Sequence, residues 1–260
     1  MTYQYTYLAV DVSERIATVT VNRPEVRNAM NPAAWRELLD CVQKMGEDDD
    51  VRAIIITGAG EKAFVSGADI SSLKTRTAID TLDMGPQLAT AAIEQSPKPV
   101  IAAVNGAAFG GGFELALACD LRLTCDRTRF GLPEPGLGIV PGIGGTQRLA
   151  RCVGMSVAKQ VILAGRTLTG EQAVELGLAL ECVSQDLLLQ RARELAAKLL
   201  TRGPLALMLA KKLLYNALST NQEAGTLMEK LSLCVLMDSA DKDEGVSAFL
   251  EKRAPTFTGH

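Results

Sequence analysis

The chain has 260 residues, 47% hydrophobic and 22% charged, with a formal net charge of −3. This fits one large globular domain, or one domain with a smaller appendage, and is long enough to bury a sizeable core. The slight acidic balance and the lack of a long basic block argue against nucleic acid as the main partner. Every apolar run stops well short of the ~20 residues that a membrane-spanning helix needs.

Two further features of the composition narrow the chemistry. The only histidine is His260, the last residue, which argues against a Ser-His-Asp triad, a Cys-His pair or a His-rich metal site. Acid–base work then falls to carboxylates, Lys, Tyr or Cys. The six cysteines, Cys41, Cys119, Cys125, Cys152, Cys182 and Cys234, include no CxxC pair, so neither a zinc site nor a redox pair is expected. Most have apolar neighbours and are expected to be buried and reduced, in a cytosol-like compartment. The opening residues lack the basic and apolar regions of a secretory signal.

In chain order, residues 5–11 and 15–22 read as two strands around a Ser13-Glu14 turn, because IATVTVN alternates and is rich in β-branched residues. After the polar loop NRPEVRNAMN, Asn31 can cap a helix that has Pro32 at its first position. That helix is expected to reach about Met45, with Trp35, Leu38, Leu39 and Val42 on one face. RAIIITG, residues 52–58, is a short continuous apolar run of the kind that forms a strand buried on both faces. The loop GAGEKAFVSGADI follows, then a region with a weaker pattern over 70–95 and a second apolar strand over 100–104. Next comes NGAAFGGGFELALACD, residues 105–120, in which three glycines precede a helix expected over 112–119. Residues 120–125 alternate as a strand.

The segment from Phe130 to Ala150 is dense in Gly and Pro and reads largely as loop, with a helix starting near Thr146. Short helices are expected over 155–164 and 169–176, and an edge strand over 178–183. From about Asp186 the pattern is helix only. Leu188, Ala192, Leu195 and Leu199 form one stripe, and Gly203-Pro204 interrupts and restarts it. Leu205, Leu209 and Leu213 continue, Leu227, Leu231 and Val235 mark another helix, and a last helix begins near Ser239. Strand, glycine-rich loop and helix recur at 54–70 and 100–119, as in a repeated α/β layered core.

Chemistry is expected where two of these loops leave parallel-type strands, at Ala68 and at Gly111, because ligands bind at the carboxyl ends of such strands. Two backbone N–H groups converging there can hold an oxyanion, and small residues keep side chains out of the way. No P-loop or dinucleotide fingerprint is present. Glu114 and Glu134 stand out as carboxylates in apolar, glycine-rich surroundings. Either alone reads as a solvated or capping residue, but together, without a usable histidine, they point to a paired acid–base site with raised pKa values. Asp69 and Asp120 are weaker candidates, and Asp69 sits where a helix N-cap is expected.

AFVSGADI, NGAAFGGGFELALACD and FGLPEPGLGIVPGIGGTQRL, in this order and spacing, resemble the crotonase superfamily and within it the enoyl-CoA hydratases. NRPEVRNAMN and FLEKRAPTFTG add to the likeness, which spans essentially the whole chain. The resemblance implies an α/β spiral of repeated ββα units over residues 1–195, carrying the active site, and a C-terminal helical trimerisation region over 196–260. It implies a homo-hexamer built as a dimer of trimers, and an acyl-CoA thioester substrate with no metal and no further cofactor. By motif position, Ala68 and Gly111 match the two oxyanion-hole donors, and Glu114 and Glu134 the two catalytic glutamates. Ala68, Asp69, Ile70 and Ser71 match the CoA-contacting loop. Hydratases often carry Lys where this chain has Ser71, and Lys74 or Arg27 would take over a phosphate or adenine contact.

Having both glutamates points to hydration of a 2-enoyl-CoA to a 3-hydroxyacyl-CoA by a cytoplasmic lyase. An isomerase, a hydrolase or lyase of ring-degrading acyl-CoA pathways, and a non-catalytic scaffold or RNA-binding relative stay open as other readings.

Overall fold

A computed structural model describes residues 2–69, 73–82 and 84–260. Two sheets carry the architecture. The larger has six strands in the order β1 (Leu8–Ser13), β2 (Ile16–Val21), β3 (Ala53–Gly58), β5 (Val100–Val104), β7 (Leu121–Cys125) and β10 (Glu181–Val183). The smaller has four, in the order β4 (Ala63–Val65), β6 (Ala107–Phe109), β8 (Arg129–Gly131) and β9 (Leu168–Thr169). From β3 onward the chain places one strand in the large sheet and the next in the small sheet, three times over: β3 then β4, β5 then β6, β7 then β8. Pairing is parallel among β2, β3, β5, β7 and β10 and among β4, β6 and β8. Among the described residues it is antiparallel only at β1–β2 and β8–β9. This is a spiral of ββα turns, the architecture that the resemblance implies.

The apolar runs read as strands are buried on both faces, which is why they are continuous rather than alternating. Within β3 and β5 the side chains still take turns. Ile54, Ile56, Val100, Ala102 and Val104 join the larger core with Trp35, Leu38 and Phe113. Ala53, Ile55, Ile101 and Ala103 face the helix Gln185–Leu200 through Leu188, Ala192 and Ala196. The side chain of Asn105, at the end of β5, accepts from Gly58 N–H (3.1 Å) and donates to Gly58 O (2.8 Å) and Gly60 O (2.7 Å). It therefore ties together the two strand ends from which the glycine-rich loops depart.

The helix over Pro32–Glu47 is capped as expected, with Asn31 accepting from Ala34 N–H at 2.8 Å. Several expectations need correction. The strands β4, β6 and β8, three residues each, fall in segments read as loop. The two helices expected near 146 and over 155–164 are one helix, Gly145–Ile162, bent where Gly154 leaves helical geometry (φ 79°, ψ 160°). The weak region contains the short helix Ala78–Thr81, closed by a Thr77–Asp80 capping box, and the helix Gly85–Gln95. Cysteine burial is also mixed: Cys41, Cys119 and Cys125 are buried, whereas Cys152 and Cys234 are exposed.

After the helix Gln185–Leu200, three more follow: Pro204–Asn216, Gln222–Met237 and Ala240–Glu251. No helix among the described residues is long and apolar enough to cross a membrane.

Candidate active site

The helix Gly111–Ala118 is the centre of the site, and every one of its residues is buried. The turn into it is made by Gly110 at φ 51°, ψ −126°, a conformation that suits glycine and few other residues. The helix start then packs directly against the end of β4, so that a Cβ at Gly112 would overlap the Val65 carbonyl. Gly111 opens the helix, and the N–H of its first residue has no intrahelical acceptor.

The other expected donor sits on an isolated parallel bridge between Met30 and Ala68. The bridge uses flanking groups: Met30 N–H donates to Gly67 O (2.9 Å) and Asp69 N–H to Met30 O (3.4 Å). That pattern turns the Ala68 N–H away from Met30, on a residue that is itself exposed. The two loops touch, since a Cβ at Gly67 would lie 3.1 Å from Phe109 O. The Ala68 bridge thus lies beside the Phe109–Gly111 turn.

The loop 23–30 that presents Met30 is fixed by Asn28, fully buried and held at φ 57°. Its Oδ1 accepts from Arg23 N–H (3.0 Å), and its Nδ2 donates to Ala59 O (3.0 Å) and Ala63 O (2.8 Å).

Glu114, 1% exposed, accepts two hydrogen bonds on Oε1, from Ile143 N–H (2.8 Å) and Gly145 N–H (2.7 Å). These N–H groups lie at the start of the helix Gly145–Ile162, an electropositive position. The fit is close enough that a Cβ at Gly145 would come within 2.9 Å of Glu114 Cγ. Burial is the largest influence and lifts the carboxyl from 4.5 to about 6. The Gly145 and Ile143 N–H bonds oppose it, the charge of Glu134 adds to it, and Arg148 opposes it.

Glu134 opens a 3-10 turn, Glu134–Leu137. Its Oε1 would lie 3.0 Å from a Cβ at Gly110, so this carboxylate sits against the turn that starts the Glu114 helix. Its Oε2 is buried without a partner among the described residues, and burial raises its pKa as well. One glycine turn therefore gathers Gly111, the Ala68 loop and Glu134, one helical turn from Glu114.

Asp120 is placed elsewhere. It lies past the far end of the helix, where its Oδ2 accepts from Val100 N–H (2.7 Å) and pairs with Lys211 at 2.8 Å, while Oδ1 accepts from Tyr215 OH at 3.2 Å. Its role is structural, joining the helix Pro204–Asn216 to the core. Asp69 lies in the Ala68 loop; the residues that it is expected to cap, Ile70 and Ser71 among them, lie outside the described residues. Among the described residues, no group of three or more His, Cys, Asp or Glu is arranged to hold a metal ion.

Sequence reasoning missed Asn28 and Arg148. The Arg148 guanidinium forms a two-pronged ion pair with Glu94 (2.6 and 2.9 Å) and donates to Ile143 O (2.5 Å). A buried Asn at positive φ, next to Arg27 in the same conformation, leaves no periodic mark, and an Arg–Glu pair 54 residues apart is indistinguishable in sequence from two solvated charges.

Known proteins resemble the chain over almost its full length. A family model described as enoyl-CoA hydratase/isomerase matches residues 11–260. The crotonyl-CoA hydratase of Syntrophomonas wolfei is 38% identical, over 97% of this chain and 98% of that protein. The 2,3-dehydroadipyl-CoA hydratase of Escherichia coli is 41% identical, over 97% and 98%. The crystal structure of an enoyl-CoA hydratase from Bacillus anthracis superposes with a TM-score of 0.94 at 37% identity, covering 98% of this chain and all of that one. With the spiral fold, the glycine turn and both glutamates in place, the chain belongs to the enoyl-CoA hydratase/isomerase family.

Proposed function

We propose that this protein adds water across the C2=C3 double bond of a 2-enoyl-CoA to give a 3-hydroxyacyl-CoA, a hydro-lyase reaction of acyl-CoA and fatty-acid metabolism. The observation that carries this reading is a pair of carboxylates, the buried Glu114 on the first turn of the helix that starts at Gly111 and the half-buried Glu134 set against the Gly110 turn before it. The names of full-length relatives, among them a crotonyl-CoA hydratase, support it.

In this reading the thioester carbonyl lies between the N–H groups of Ala68 and Gly111. Their dipoles draw electron density from C3 and stabilise the enolate that forms when oxygen adds there; losing one such donor typically costs ~10²–10³ in rate. Glu114 is ionised above about pH 6 and takes a proton from water as the water oxygen bonds to C3. Glu134, its free Oε2 desolvated, holds the proton delivered to C2. Passage of the proton from Glu114 back to Glu134 restores the starting state, so the two carboxyls titrate and act as a pair. The chemistry needs no cofactor beyond the coenzyme A carried by the substrate. The loop of Ala68, Asp69, Ile70 and Ser71 contacts that coenzyme.

The same reading assigns a homo-hexamer, with the C-terminal helices as the trimer contact, in the cytoplasm. Its support is the row of exposed apolar side chains on the helix Gln222–Met237, Leu227, Leu231 and Val235 among them.

The test is loss of the enoyl-thioester absorbance when protein is mixed with crotonyl-CoA and longer homologues, with product mass read in parallel. Hydration adds one water. A product of unchanged mass would replace this reading with an isomerase, and no turnover across the panel would remove it.

A further inference from the structure

The peptide groups that hold Glu114 are themselves held from behind. The Gly142–Ile143 peptide donates its N–H to Glu114, and its carbonyl, Gly142 O, accepts from Gln87 Nε2 at 2.8 Å. The next carbonyl along, Ile143 O, accepts from Arg148 at 2.5 Å, and Arg148 is fixed by its fork onto Glu94. Gln87 and Glu94 both belong to the helix Gly85–Gln95. Seven residues is two turns, so both lie on one face.

This face thus holds two successive carbonyls of the segment whose N–H groups bind the carboxylate, one directly through Gln87 and one indirectly through the Arg148 that Glu94 anchors. The Gln87 amide keeps this orientation although its own Oε1 is left buried with no partner among the described residues. The opposite orientation would set two carbonyl oxygens against each other. A hydrogen bond at a peptide oxygen also polarises the peptide and strengthens its N–H as a donor.

We propose that Gln87 and the Glu94–Arg148 pair form a clamp that positions the Ile143 and Gly145 N–H groups and thereby sets the proton affinity of Glu114. None of the three is a catalytic residue; they act through Glu114, and the proposal rests on reading Glu114 as an acid–base group of the hydratase. The charged and titratable groups around Glu114 are few. Glu134 faces it from the 3-10 turn and Arg148 from the helix Gly145–Ile162. Behind Arg148 lie Glu94, on Gly85–Gln95, and Tyr215, on Pro204–Asn216. The strands β4 and β6, which also pack on this helix, carry no charged side chain.

Two substitutions that keep the charge of this group separate positioning from electrostatics. Gln87→Met removes the donor to Gly142 O without altering charge. Arg148→Lys keeps the cation and loses the fork.

The readout is the titration of Glu114 in protein carrying 13C at the glutamate Cδ, with the resonance assigned by its loss in Glu114→Gln. Looser N–H bonds stabilise the carboxylate less, so its midpoint is expected to rise by about half a pH unit, a roughly threefold change in proton affinity, in both variants. In the crotonyl-CoA assay kcat falls and KM stays. A Glu114 midpoint in Gln87→Met within about 0.2 pH of the wild type would overturn the clamp even if the melting temperature dropped, and Gln87→Met decides alone should Arg148→Lys fail to fold. A wild-type protein that hydrates neither crotonyl-CoA nor its longer homologues would remove the hydratase reading and leave the titration result standing.

Discussion

Two apolar helices of this chain have opposite fates. In Gly111–Ala118 every residue is buried, and the covering is done by the chain itself: β4 and β6, and the helices Gly85–Gln95 and Gly145–Ile162. In Gln222–Met237 no residue is buried, although Leu227, Leu231, Leu233 and Val235 would suit a core as well as any in the first helix. Hydrophobic sequence predicts burial without saying what does the burying. The first helix is where the chain can afford a desolvated carboxylate, because four neighbouring elements pack around it. The second is an exposed apolar surface, the one that the proposed hexamer would cover.

The contrast can be broken at several points. The largest effect is expected from Glu114→Gln and Glu134→Gln. Each should lower kcat by about 10²–10⁴, while circular dichroism and melting temperature show an intact fold. Turnover that survives either change would take that residue out of the mechanism.

Gly112→Ala tests how tightly the first helix is covered. The added methyl meets the backbone carbonyl of Val65, which cannot move aside as a side chain end could. Overpacking of this kind costs about 1–3 kcal/mol, to be read from urea unfolding.

The buried Glu114 also makes stability depend on pH. Its folded pKa is raised from 4.5 to about 6, so between these values the folded state binds more protons than the unfolded state. The carboxyl is then accommodated best below about pH 4.5, and that stability is lost as pH rises through about 6. Its ionisation in the folded state costs about 2 kcal/mol. Glu114→Gln should therefore gain stability over the wild type by about that amount on going from pH 4.5 to pH 7. A gap that does not change with pH would mean that water reaches the carboxyl.

On the uncovered helix, Leu231→Glu should leave the isolated protomer within about 0.5 kcal/mol of its starting stability and shift the mass measured by sedimentation towards smaller species. An unchanged mass would move the contact to another face.

The sequence was most legible where a physical requirement acts on neighbours in the chain. The two-sided burial of β3 and β5 shows as continuous apolar runs, and the Asn31-Pro32 start shows as a cap beside the residue best placed to follow it. Glu114 and Glu134 stand out because charge is costly in their surroundings. What could not be read depends on the third dimension. The strands β4, β6 and β8 are too short for any alternation to register, and they exist because the spiral aligns them. Gln87, Glu94 and Arg148 look like ordinary surface residues until the helix Gly85–Gln95 is laid against the segment 142–145. Cys152 and Cys234 have apolar neighbours in sequence, yet both are exposed.

Four of the donors in the proposed site are peptide N–H groups: Ala68 and Gly111 for the carbonyl, Ile143 and Gly145 for Glu114. Peptide groups are not encoded by the identity of a residue, so ordinary substitutions can crowd or tilt these donors but cannot delete them. Proline is the one replacement that removes the hydrogen itself. These four contacts are in this sense insulated from substitution at their own positions. In the proposed reaction, polarising the carbonyl and seating Glu114 fall to the course of the backbone, while the proton transfers fall to the two glutamate side chains.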